Sequence, residues 1–133
     1  MLSLLCSGEA TSYQLSSDNT TVLTSSRHGA IRLWDLRNGA TPVMRYTGHL
    51  NSASSFVRCG FGAGETCVLS GSDDGALHIW DAVSGRPIRT LEGHQGASYR
   101  AVWHARQGLL VSCGDDGTVR TWNYRSVLGG ALD

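Results

Sequence analysis

The chain has 133 residues, of which 41% are hydrophobic and 17% charged, and its eleven basic and eleven acidic side chains cancel. That length suits one ordinary domain, and zero net charge argues against a nucleic acid or an anionic membrane held by long-range attraction. Seventeen glycines, with serine and threonine where charge usually stands, suit short strands joined by tight turns. The first six residues lack a basic start and are too short for a signal peptide or a membrane span. Cys6, Cys59, Cys67 and Cys113 include no Cys-x-x-Cys pair, so no zinc or other metal site is expected. Cys59 and Cys67 fall on neighbouring expected strands. Reduced, buried thiols are the expectation there, with a disulfide as the alternative. A reducing setting, cytoplasmic or nuclear, follows.

Taken in order, the chain reads as three copies of one β unit. A first strand is expected over residues 11–16, and a second begins at Val22. A turn at His28-Gly29 then leads into alternating residues that end at Trp34-Asp35, and a fourth strand over 42–47 follows Asn38-Gly39. The second unit repeats this with strands over 56–61 and from Val68, a turn at Asp74-Gly75, Trp80-Asp81, and a last strand over 87–91. The third has a strand over 99–104, another from Leu110, Asp116-Gly117 and Trp122-Asn123. Residues 70–81 recur 42 residues later as 112–123, and a weaker copy lies 46 residues upstream at 24–35. Asp-Gly between alternating runs is a strong hairpin signal, because the tight turn needs positive φ. No window carries a sustained helical period, so the fold class is all-β.

Gly48-His49 and Gly93-His94 introduce the second and third units. Gly-His, then Ser, Asp-Gly and Trp-Asp in units of 42 to 46 residues, resembles the WD-repeat family of β-propellers, over roughly residues 10–125. The resemblance implies four-stranded antiparallel blades in repeats at about 10–47, 48–92 and 93–125, with 126–133 as a tail. In that family a histidine, a Ser/Thr, a turn aspartate and a tryptophan form one hydrogen-bonded chain. By position this gives His49, Ser70, Asp74 and Trp80 in the second unit, and His94, Ser112, Asp116 and Trp122 in the third. The first unit keeps Thr24 and Trp34, but His28 replaces the aspartate and no Gly-His precedes it, so its network is incomplete and the blade is expected to be the least ordered. Loss of Asp74 is expected to cost more stability than loss of Asp73, since a buried polar chain stabilises only when every member is satisfied.

Ser, His and Asp together invite a hydrolase reading. A nucleophile needs exposure beside an oxyanion hole, whereas the alternation places Ser70 and Ser112 inside packed sheets. No catalytic residue, cofactor or phosphate loop is expected, and the chain is read as a non-enzyme.

Closed propellers need about 4 to 8 blades, and about three are legible here. The incomplete ring implies the C-terminal blades of a longer propeller, with a homo-oligomer that pools blades as the alternative. Residues 2–6 read as a strand that completes the last blade or belongs to an earlier one.

The resemblance also implies protein or peptide partners, on the face that carries the hairpin turns and Gly-His loops. Arg27, Asp73 and Asp115 precede the turn position. Ser12, Arg58 and Arg100 align near the channel mouth, where two arginines suit a carboxylate or phosphate; solvated charges balanced by Asp73 and Asp115 are the alternative. Trp34-Asp35-Leu36-Arg37 and Trp122-Asn123-Tyr124-Arg125 resemble the box by which some WD-repeat proteins dock on the adaptor of cullin-type ubiquitin ligases. Arg37 and Arg125 would be its contacts, and a substrate-recognition subunit is the second functional reading. Tyr99 and Trp103 read as core or channel packing rather than base stacking.

Overall fold

The computed structural model describes residues 1–39, 41–52 and 56–123, which form eleven strands and no helix. Three antiparallel meanders follow one another. The first has β1 (Ala10–Leu15), β2 (Thr21–Ser26), β3 (Ile31–Asp35) and β4 (Met44–Tyr46). The second has β5 (Cys59–Gly62), β6 (Cys67–Ser70), β7 (Leu77–Asp81) and β8 (Pro87–Leu91), and the third has β9 (Ser98–His104), β10 (Leu109–Gly114) and β11 (Val119–Asn123). The sheets do not close into a ring. The expected tail and Arg125 lie outside the described residues.

The hairpins form where the dipeptides place them. Gly75 and Gly117 take φ of 86° and 76°, a region closed to most side chains. The first turn solves the same problem differently. His28 itself adopts φ 57°, which histidine tolerates better than most residues, and its amide donates to the Asn51 carbonyl at 2.8 Å.

Packing follows the two-residue period of a strand. On the central blade, Cys67, Leu69, Leu77 and Ile79 face the third blade and meet Ala101 and Leu110. Cys59, Val68 and Trp80 face the first and meet Leu23, Ile31 and Tyr46. With both faces covered, β6 is buried at every position, whereas β11 alternates between exposed and half-buried. Tyr46 ties the first two blades by donating its hydroxyl to the Ala82 carbonyl at 2.6 Å, and burial pushes its phenol up to about 12.

Three strands differ from expectation. β5 starts at Cys59 rather than 56 because the preceding backbone pairs sideways. Arg58 N–H donates to Tyr99 in the third blade, and the Val57 carbonyl accepts Thr11 of the first. β4 is short, since Pro42 has no donor and the Thr47 carbonyl is taken by Trp80. Residues 2–6 are not a strand; Leu2 and Leu4 lie against Gly39 instead. All four cysteines are free thiols, and burial raises Cys59 and moves Cys67 up to about 11.

Candidate functional site

The third blade joins its four residues. Trp122 donates its indole N–H to Ser112 Oγ at 2.9 Å, and Ser112 Oγ lies 2.8 Å from His94 Nε2. His94 Nδ1 is 3.2 Å from Asp116 Oδ1. Since Ser112 accepts from the indole, its own O–H donates to Nε2, and Nδ1–H donates to the carboxylate. Asp116 also accepts from the Gln95 amide and from the Thr118 amide and hydroxyl. Those donors, the Gln95 amide foremost, hold it far below the usual carboxylate range. Ser112 is 2% exposed, so its hydroxyl is closed to a substrate although the Ser–His–Asp order resembles a triad.

The second blade carries the same four residues and does not join them. Trp80 donates to the Thr47 carbonyl at 2.9 Å instead of Ser70, and Ser70 donates to the adjacent Gly71 carbonyl. Asp74 accepts the Ala76 amide and lies 3.7 Å from His78, with its side chain 41% exposed against 7% for Asp116. His49 meets Trp80 edge-on at 5.6 Å, and among the described residues neither of its buried ring nitrogens has a hydrogen-bond partner. Burial lowers it to about 4, so it is neutral at pH 7.

The cause is local. In the third blade the amide after the histidine, Gln95, goes to Asp116; in the second the matching amide, Leu50, goes to Ser72 Oγ at 2.9 Å. Gly114 stands where Ser72 stands, and a Cβ there would lie 2.6 Å from His94 Nδ1. Arg58 follows His49 by nine positions while Arg100 follows His94 by six. That longer loop is anchored by Asp73, which accepts the amide and hydroxyl of Ser52. Asp73 therefore holds a loop, and Asp74 lacks the network partners on which its expected ranking above Asp73 rested.

The first blade keeps the Trp34 N–H to Thr24 Oγ1 bond at 2.9 Å, and Cys6 Sγ lies 3.7 Å from the same oxygen. Sequence reasoning missed Cys6. The signal was present: it precedes Ser12 by six positions, as His94 precedes Arg100.

Of the other expected contact residues, Arg27 pairs with Glu9 at 3.1 Å and covers the Phe56 ring at 5.0 Å. Asp115 accepts the Tyr99 hydroxyl at 3.0 Å. Trp103 packs against the core between the second and third blades. Arg37 grips Asp35 through Nε and a terminal nitrogen at 3.0 and 2.9 Å. Arg58 and Arg100 are brought together: with Thr11, Ser12, Tyr13 and Cys59 they line one cleft of about 230 Å³. A second cleft, about 250 Å³, lies between the His28 turn and residues 47–52.

Antiparallel meanders stacked face to face, with their inner strands side by side, define β-propeller blades. A WD domain, G-beta repeat model matches residues 4–35, 40–81 and 85–123, so the chain belongs to the WD40 repeat family, whose repeats build protein-interaction scaffolds. It is similar to the WD repeat-containing protein 26 homolog of Arabidopsis thaliana, 36% identical over 113 residues that cover 84% of this chain and 19% of that protein. A probable cytosolic iron-sulfur protein assembly protein Ciao1 of Anopheles gambiae is 47% identical over 36 residues, 27% of this chain and 11% of the relative. The WD40 repeat-containing protein HOS15 of Arabidopsis thaliana is 42% identical over 40 residues, 30% of this chain and 6% of its own length. The chain thus spans a fifth or less of these relatives.

Proposed function

We propose that this chain is a non-enzymatic interaction platform that holds a protein or peptide segment against its inner strands and turn loops. One observation carries this reading: Tyr13, Arg58 and Arg100, from three successive blades, meet in one cleft. The three open blades act within a ring completed by further blades, from the same polypeptide or a second copy. Four free thiols suit a reducing compartment, cytoplasm or nucleus. A photo-crosslinking residue at Tyr13, exposed at this cleft, should capture a defined protein, while one at Val83, exposed beyond β7, should not. Equal capture at both positions, or at Val83 alone, overturns the reading.

A second reading, substrate recognition for a cullin-type ubiquitin ligase, is favoured by Arg37, whose side chain is 71% exposed and preset by Asp35. Losing adaptor capture in Arg37→Ala with Arg125→Ala would support it, and unchanged capture would remove it.

A further inference from the structure

We propose that Arg58 and Arg100 form an oxyanion subsite, which takes a carboxylate or phosphoryl group carried on a side chain of the bound segment; this rests on reading the inner cleft as a contact surface. The backbone places the two cations together. Arg58 N–H donates to the Tyr99 carbonyl at 2.8 Å, so the strand entry of the second blade is clamped beside the residue that precedes Arg100. Both side chains are exposed, and among the described residues neither forms an ion pair or a side-chain hydrogen bond.

The acids of the same face have other partners among the described residues, and Asp74 accepts the Ala76 amide and lies 3.7 Å from His78. Glu9 pairs with Arg27, Asp73 accepts from Ser52, Asp115 from Tyr99, and Asp116 from His94, Gln95 and Thr118. Among the described residues Asp73 and Asp115 therefore make no ion pair with either arginine and act on them only through solvent. Two like charges in one cleft repel, and an oxyanion between them relieves that while receiving paired N–H donors.

The rest of the cleft fits such a guest. Ser12 Oγ accepts the Cys59 amide and lies 2.6 Å from Ser25 Oγ, so it fixes the wall. Tyr13 forms an exposed aromatic rim. A volume of about 230 Å³ suits one side chain better than a cofactor, since small-molecule pockets usually begin near ~300 Å³. With no net charge on the chain, the attraction is local rather than a long-range field.

The test is a titration of the chain, followed through the arginine side-chain NMR signals, with three capped amino acids: N-acetyl-phosphoserine methylamide, N-acetyl-glutamate methylamide and N-acetyl-serine methylamide. The first two should shift Arg58 and Arg100 with roughly millimolar affinity, weakening as salt is raised. The serine compound should shift neither. Stronger binding of the phosphoserine compound identifies a phosphorylated segment, and parity or preference for glutamate an acidic one; both fit the subsite. Arg58→Gln and Arg100→Gln should each weaken binding about tenfold or more, with the indole signals of Trp103 and Trp122 unchanged. Should either variant unfold, Arg58→Lys with Arg100→Lys keeps both charges and should still bind the anions. Failure of both anions to shift these signals, equal shifts at Arg89, or full binding by the glutamine variants overturns the proposal. The outcomes separate from those of the platform reading. Capture at Tyr13 without anion binding removes the subsite alone, and anion binding without capture removes the platform alone.

Discussion

The second and third blades carry histidine, serine, aspartate and tryptophan at nearly one spacing, yet only the third connects them. In the third blade the histidine bridges a hydroxyl and a carboxylate. In the second, the tryptophan turns to a backbone carbonyl, the serine to its neighbour, and the histidine has no hydrogen-bond partner among the described residues. The central blade tolerates this because it is packed on both faces, with Trp80 1% exposed. Among the described residues the third blade packs on the face toward the second and adds polar bonds beyond it. Apolar burial and a hydrogen-bonded network thus act as alternative ways to fix one blade architecture.

The histidines provide the widest contrast. His94→Ala strips partners from Ser112 and Asp116 and should cost about 3 kcal/mol, whereas His49→Ala removes only packing and should cost about 1 kcal/mol in chemical denaturation. Equal costs would mean that His49 is bonded in solution.

Acid should separate the two blades next. His49 has a folded value of about 4, below its unfolded 6.5, so the unfolded chain binds more protons in that window. Stability therefore falls as pH drops from about 6.5 to 4, by up to about 1.4 kcal/mol per unit. Asp116 is also depressed, but its contribution is present above its unfolded value near ~3.9 and is lost only below it. Unfolding free energy against pH should show the first decline in the parent and lose it in His49→Gln; an unchanged slope in that variant refutes the assignment.

Smaller still is the serine pair. Ser112→Ala leaves the Trp122 and His94 donors and acceptors unmatched and should cost about 1.5 kcal/mol, while Ser70→Ala should stay within about 0.5 kcal/mol. Thermal melts of both variants would decide it.

The aspartates close the series. Asp73→Ala should release the loop at Ser52 and speed hydrogen exchange there severalfold, and Asp74→Ala should not. The opposite order would restore the ranking that position alone suggests.

Much of this was legible in the chain. The period, the Asp-Gly turns and the alternating strands follow from local chemistry, and the four-membered network of the third blade follows from the family resemblance carried over by position. What was not legible depends on contacts between units. A hydroxyl at Ser72 where the third blade has Gly114, and three additional loop residues after His49, redirect one amide and with it the whole network of the second blade. Cys6 was hidden for another reason: a thiol stands in the place of a histidine, so matching residue types passes over it. The pairing of Arg58 with Arg100 was visible as alignment, but their lack of acidic partners among the described residues depends on side-chain directions that no pattern encodes.

The close approach of Gly71 to the Ser98 carbonyl has a consequence for how such a chain can vary by recombination. The matching residue in the first blade is Ser25, whose Cβ would occupy the space that Gly71 leaves to the third blade. An in-frame deletion of the middle repeat would therefore join two units whose facing surfaces do not fit. Although the repeats look like interchangeable copies, each is cut to its particular neighbour, and their order along the gene is part of what the fold requires.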